Sequence, residues 1–465
     1  MSAIHELTQK NRPGVGLTVA HTAALVGLVL GTGAVMQWVV GPAAGIYPAT
    51  ILRQIGIVAI AAVSLNIVNG YTGQFSIGHA GFVAIGAYAG GAVSFYANSL
   101  GWVGAYDPAG LLTPGHAVML AGAAIGAGAA GAAGYMVGLP SLRLRGDYLA
   151  IVTLGFGEIV RVLFQQTQSQ VFDPQAARAL PISGWWPPPL GGAQGFSSVI
   201  PYGELFWIYA ALALTVVWCY RLKFSSSGRA FLSIREDEIA ARAMGVNLTR
   251  YKVRAFVLAA ALAGLGGAFY AHLNLAVQPK DAGFQKSFEL IIIVVLGGLG
   301  SISGVLLAAF GLGGLTEWLR QPTSVWPAAL VALALVGVVQ AVRRDIDSRA
   351  RGRAMGRALL VIGVLTGLFE GLRAFAAWQG FKLDDIRIVL YALALISVML
   401  LRPQGLLGTS ELWLVPGQLM RRKAKAAAAP SLRTAGPADP AAAPATGVGG
   451  MGGGVTEAGG DEGWP

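Results

Sequence analysis

The chain has 465 residues, of which 55% are hydrophobic and 12% charged, with a mean hydropathy of +0.61. That composition excludes a string of soluble domains and describes an all-α polytopic membrane protein. The net charge of +11 comes from 33 basic and 22 acidic residues; the arginines flank apolar runs, so the excess reports orientation and implies no nucleic-acid partner. A single cysteine, Cys219, excludes an internal disulfide and a cysteine-based metal site, and its place in an apolar run predicts inert packing.

About 10–11 hydrophobic segments can be marked, including broken ones. In chain order the spans are Leu17 to Val40, Ala49 to Val68, Gly81 to Ala97, Ala117 to Gly138, Asp147 to Phe164, Tyr202 to Tyr220 and Val253 to His272. Phe288 to Thr316, Val325 to Val342, Met355 to Ala377 and Ile386 to Leu401 follow. The first run is too long for a signal-peptide core and has no clear cleavage site, so it reads as a retained span behind Lys10 and Arg12.

Basic loops should lie on one face of the membrane. With Lys10 and Arg12 inside, the chain returns inside at Asn69, at Arg143 and Arg145, and again at Arg221 and Lys223. Keeping Arg343 to Arg357 inside as well requires Phe288 to Thr316 to enter and leave on the outer side as a broken, re-entrant pair. Its middle, VLGGLGSISG from Val295 to Gly304, holds four glycines and two serines where an uninterrupted helix avoids them. A second glycine-rich break, NGYTGQFSIGHAGF from Asn69 to Phe82, separates the second and third spans.

Broken helices inside a bilayer are tolerated where the freed backbone is buried in protein or lines a watery cavity. The side chains at the two breaks, Asn66, Asn69, Gln74, Ser76 and His79 in one and Ser301 and Ser303 in the other, are neutral or switchable donors and acceptors. They make a candidate path for a neutral polar or zwitterionic solute, with helix N-termini open to a carboxylate; the plainer alternative is that they hold helices together. Glu158 and Arg161, three apart on the fifth span, are a candidate structural ion pair, and Asp147 is a candidate helix cap.

The longest charged run between spans, Ser225 to Arg254, contains a short helix with written ends. Ser233 and Glu236 form a capping-box pattern, Glu236, Asp237 and Glu238 load the first turn, and Gly245 supplies the stop, which predicts one helix from Ile234 to Met244. Ile239, Ala240, Ala243 and Met244 form a small apolar knob, with Arg235 and Arg242 in water. Such a helix suits docking into a groove of another protein. The chain contains no GxxxxGK[ST] loop, Lys286 and Ser287 being preceded by Gln285, and no HExxH or GxSxG motif. Neither ATP hydrolysis nor other enzyme chemistry is expected of it.

Five segments together resemble the LivM-type permeases of high-affinity branched-chain amino acid ABC importers. They are SLNIVNGYTGQFSIGHAGFVAIGAY from Ser64, RLRGDYLAIVTLGFGEIVR from Arg143, the run SSSGRAFLSIREDEIAARAMGVNLTRYKVRAFVLAAALAGLGGAFYA from Ser225, FELIIIVVLGGLGSISG from Phe288, and LLRPQGLLG from Leu400. The resemblance implies an ABC importer permease fold in the bacterial inner membrane, with both termini cytoplasmic. It also implies a LivH-like second permease, two ATP-binding subunits that use the ATP, and a periplasmic substrate-binding protein; no cofactor would be bound by this chain. Glu238, Ala240, Ala241 and Gly245, with Arg235 beside them, match the EAA-type ATPase-coupling motif of such permeases. The competing readings are a sibling permease for urea or short amides, an ATP-independent channel or secondary transporter, and a scaffold subunit.

The resulting division is a cytoplasmic N-terminus at 1–16, a permease core at 17–320 with its coupling loop at 221–254, and an inserted hydrophobic hairpin with an arginine-rich loop at 321–385. A last span with the RPQGL segment at 386–408 and a cytoplasmic low-complexity tail without fixed structure at 409–465 complete it. The hairpin departs from the family pattern, and its arginines are placed to meet membrane lipid or a partner.

Overall fold

The structure, a computed structural model, describes residues 15–103, 113–141, 147–172, 189–320, 405–408 and 411. Among these the chain is built from helices: α1 Val15–Val35, α2 Ile46–Asn66, α3 His79–Ser99, α4 Pro114–Ser141, α5 Asp147–Gln165, α6 Leu205–Phe224, α7 Ser226–Glu236, α8 Glu238–Ala243, α9 Leu248–Asn274, α10 Phe284–Gly297 and α11 Ile302–Arg320. Among the described residues, seven helical stretches are long and apolar enough to cross a bilayer, and they correspond to the first seven spans expected from sequence. The expected spans after residue 320, Arg143 and Arg145, the Asp147 side chain, and most of the tail lie outside the described residues.

The centre is α9, which packs against α4, α3 and α2. Side-chain size decides why these helices approach so closely: α9 carries the run ALAGLGGAFYA and α4 the run GAAIGAGAAGAAG. With no hydrophobic drive between helices in lipid, small residues gain stability by letting backbones touch. Gly86 on α3 sits directly on the Gly264 backbone of α9, so that a Cβ there would overlap it. Around this centre α1 lies on α6, α6 on α2, and α11 on α2.

At one end a two-stranded antiparallel ribbon, β1 Phe196–Ser197 with β2 Ala276–Val277, pairs Phe196 with Val277. The Gln170 side chain clamps β1, donating to the Ser197 carbonyl at 2.7 Å and accepting from its amide at 2.9 Å. Beneath it Tyr88, Phe95, Tyr96 and Phe196 form a buried cluster, with Phe164 stacked on Tyr88 at 3.9 Å. At the opposite end lie Lys223, α7 and α8.

The pair α10 and α11 is the broken hairpin expected from the glycines. The helices separate at Gly298 and Gly300, whose φ values of +109° and +89° favour glycine, and the chain reverses there. The start of α10 lies by Glu158, whose carboxylate accepts the Phe284 amide at 3.4 Å, and its tip lies by Lys223.

Candidate coupling and translocation site

The segment Ser225 to Arg254 folds into two short helices rather than one. Ser225 caps α7, its hydroxyl accepting the Gly228 amide at 3.1 Å. Asp237 then breaks the run with extended backbone (φ −158°, ψ 117°) and caps α8 by accepting the amides of Ile239 at 2.7 Å and Ala240 at 3.0 Å. The expected helix from Ile234 to Met244 is therefore corrected. Ser233 lies inside α7 and donates to the Ala230 carbonyl at 2.9 Å, so the capping box with Glu236 does not form. The physical reason is competition for one helix start. An aspartate in extended conformation reaches two free amides at once, and upstream Ser225 has already opened the helix that contains Ser233.

Gly245 ends α8 as expected, with φ +83°. Ala241 turns inward onto Ile234 and Leu248, with Val246 and Tyr251 packed against them. Glu238 is held by the ammonium of buried Lys252 at 2.6 Å. The outer face of α8 is apolar and open: Ile239 is 76% and Met244 84% exposed, and Ala240, Ala243 and Arg242 are exposed with them.

Arg235 does not stay in water. Its guanidinium reaches back from α7 and donates to the carbonyls of Gly70 at 2.8 Å and Leu299 at 3.4 Å, one in each glycine break. The two breaks in turn touch one another. Asn66 accepts the Gly300 amide at 2.8 Å and donates to the Ser301 carbonyl at 3.4 Å. A Cβ on Gly70 would lie 2.5 Å from the Gly300 nitrogen, so glycine is required for the contact.

The tip of the hairpin holds the largest departure from the sequence reading. The amides of Ile302 and Ser303, at the start of α11, both donate at 3.0 Å to the carboxylate of Glu411, and the Ser303 hydroxyl joins them at 2.8 Å. Lys223 completes the cluster, its ammonium 2.5 Å from Glu411 and 2.6 Å from the Gly300 carbonyl. The expectation that this helix N-terminus is open to a substrate carboxylate is thus corrected: the chain's own carboxylate occupies it. Glu411 falls in the stretch expected to be a tail without fixed structure, yet it is buried. Nearby, Leu406 and Leu407 donate to the carbonyls of Leu296 and Gly297 at 2.7 and 3.3 Å, which seats the LLG of RPQGLLG on the end of α10.

The remaining polar candidates at the two breaks are all buried. After one wide π-helical turn, Ile67–Tyr71, the chain runs irregularly through residues 72–78 before α3 begins. Asn69 accepts the Ser76 amide at 3.2 Å, and Gln74 accepts from Thr72 at 3.4 Å. Asn69 Nδ2, Gln74 Nε2 and Ser76 Oγ have no partner among the described residues. His79 lies 2.8 Å from the Ser64 hydroxyl, and Ser301 and Ser303 lie 3.4 Å apart. The structure therefore joins Asn66, Ser301 and Ser303 at the tip, ties His79 to α2, and leaves Asn69, Gln74 and Ser76 with spare polar capacity. Glu158 and Arg161 are 2.6 Å apart, at the far end from Arg235.

Lys223, Lys252 and Glu411 escaped the sequence reading. Lys223 looks like one more flanking cation, and Glu411 lies 188 residues from it, so no spacing rule links them.

The family of the branched-chain amino acid transport system permease component matches residues 47–342. The high-affinity branched-chain amino acid transport system permease protein LivM of Salmonella typhimurium is 37% identical over 270 residues, 54% of this chain and 58% of that protein. LivM of Escherichia coli K12 is 36% identical over 282 residues, 56% of this chain and 61% of that protein. LivH of Salmonella typhimurium is 27% identical over 258 residues, 55% of this chain and 79% of that protein. The matched stretch thus spans about three fifths of the length of the LivM relatives. No solved structure matches. The family match covers well over half of the sequence and contains α2 through α11, so the chain is a multi-pass membrane protein that belongs to the family of branched-chain amino acid transport permease components.

Proposed function

We propose that this chain is a LivM-type permease subunit of an ATP-driven importer of branched-chain, hydrophobic amino acids in a bacterial inner membrane. It forms the path with a LivH-like permease, receives substrate from a periplasmic binding protein, and docks through α8 on one of two ATP-binding subunits. The end bearing Lys223 and Arg235 faces the cytoplasm, as its basic residues favour.

One observation carries the reading. Arg235 ties the segment that bears the exposed α8 knob to the backbone of both glycine breaks. A push on α8 by closing ATPases moves α7, and Arg235 passes it to the Gly70 turn and the Leu299 tip together, so the two broken helices respond as one element. A channel gains nothing from such a lever.

The test is uptake of labelled leucine at low concentration by cells with and without the chain, with unlabelled valine, urea and acetamide as competitors. Uptake is expected to need the chain and to be blocked by valine alone. Chain-independent leucine uptake, in cells lacking other leucine importers, overturns the substrate assignment. Arg235→Met is expected to lower uptake at least tenfold while the ATPase subunits still co-purify. Undiminished uptake refutes the lever.

A further inference from the structure

At the far end of α10 from the tip, the structure carries a half-open hollow, with about 530 Å³ of empty space that includes open solvent. Its walls are mostly aliphatic, with Ile57 and Val58 from α2, Val83 from α3 and Leu290 from α10, joined by Gln54 of α2 and Tyr270 of α9. Its rim is charged, with Asp281 from the short turn Pro279–Ala282 and Lys286 and Glu289 from the first two turns of α10. One hydrophobic hollow therefore carries both signs of charge at its mouth.

The Lys286–Glu289 pair is open to exchange. Lys286 and Glu289 lie 3.2 Å apart and are 47% and 39% exposed, so their bond is a weak surface pair that an incoming ligand can open at small cost. Asp281 accepts the Gln278 amide at 2.9 Å and is also hydrogen-bonded to the Tyr270 hydroxyl. Two carboxylates flanking one ammonium leave the rim one negative charge in excess, which suits a ligand bringing its own ammonium next to its own carboxylate. A zwitterion inserted between Lys286 and Glu289 replaces one ion pair by two, and its apolar side chain enters the hollow.

The cavity wall also adjoins the first glycine break. Ala80, in its wall, donates its amide to the Ser287 hydroxyl of α10 at 3.1 Å. Ala80 is the second residue of α3, just after the irregular segment 72–78, whose Gly73 lies against Arg235. Along that segment and the turn before it lie Asn69 Nδ2, Gln74 Nε2 and Ser76 Oγ, all buried and without a partner among the described residues. Buried polar atoms are seldom left unmatched, and a passing polar solute supplies the missing partners.

We propose that this cavity is an entry site for a zwitterionic aliphatic α-amino acid, held with its carboxylate on Lys286, its ammonium between Glu289 and Asp281, and its side chain against Ile57, Val83 and Leu290. The proposal rests on the importer reading above and names the place where that substrate first meets this chain.

The experiment uses the complete importer in proteoliposomes, with two readouts. A diazirine analogue of leucine is photolysed on the wild-type complex and the labelled peptides are mapped; label is expected in residues 51–64, 80–90 or 284–297 and is displaced by excess leucine. Labelled-leucine uptake is then measured for Lys286→Gln, with a rise in KM of at least tenfold expected in a complex that still assembles. Leucine-displaceable label only elsewhere, or an unchanged KM in Lys286→Gln, overturns the entry site while leucine transport by the wild type leaves the importer reading standing. A wild-type complex that moves no leucine overturns both.

Discussion

Glu411 offers the sharpest test of how the hairpin tip is held. Replacing it by alanine removes the acceptor of the Ile302 and Ser303 amides and of the Ser303 hydroxyl, and it leaves the Lys223 ammonium without its counter-charge. Both side chains are secluded, Glu411 at 1% and Lys223 at 10% exposure, so solvent screening offers little relief. Breaking a buried pair from one side costs about 3–5 kcal/mol, because the stranded charge must be rehydrated or neutralised. At roughly 2 °C per kcal/mol for a chain of this size, the midpoint of thermal unfolding in detergent should fall by about 5–10 °C. The assay is the loss of the monodisperse peak in size-exclusion chromatography after heating, at fixed detergent and salt. Lys223→Met with Glu411→Leu together should recover part of the loss, since no charge is then left alone, although the α11 amides stay uncapped. Truncation after Lys425 keeps Glu411 and should match the full chain, whereas truncation after Gly408 should match Glu411→Ala. A Glu411→Ala midpoint within a degree of wild type, or a double variant showing the full sum of the single losses, would show that Glu411 does not hold the tip.

Three further expectations rest on other parts of the structure. Ile239→Asp with Met244→Asp should leave the unfolding midpoint within a degree, since both side chains are in the open at 76% and 84% exposure, while abolishing co-purification of the ATPase subunits; retained co-purification refutes α8 as the docking face. Gly70→Ala places a methyl group against Asn66 and 2.5 Å from the Gly300 amide nitrogen, so the two breaks must separate; a cost of about 1–3 kcal/mol, read by the same heating assay, is expected, and an unshifted midpoint counts against the contact. Glu204, just before α6, is pushed above the usual carboxylate range by burial, with His116 at 3.3 Å and Arg53 opposing the shift. The folded state therefore holds its proton longer than the unfolded chain, so this group favours the fold below its unfolded pKa, near pH 4, and that contribution is lost as pH rises through the folded pKa. Glu204→Gln should remove that part of the pH dependence, and an identical profile in the variant would contradict the burial argument.

The elements legible in the sequence are those whose causes are local. Apolar runs marked the seven spans because crossing about 30 Å of hydrocarbon demands length and composition that no other use imposes. Four glycines within ten residues announced the α10–α11 break, and Gly245 announced the end of α8, because backbone dihedrals at such points admit few other residues. The apolar face of α8 also followed from helical spacing.

Which partner each polar group finds depends on contacts between segments far apart in the chain. Ser233 with Glu236 is a valid start signal, but Asp237 and Ser225 win the competition through backbone geometry set by the packing of Ile234, Ala241 and Leu248. Arg235 reads as a solvated cation until Gly70 and Leu299 are brought beneath it from 165 and 64 residues away. The same holds for Glu411, which ends at the start of α11 because a buried helix N-terminus and a buried ammonium both require an anion and the folded chain has one within reach. Periodicity and propensity act over a few turns of chain, whereas the pairing of buried charges is settled only when distant segments exclude water from one another.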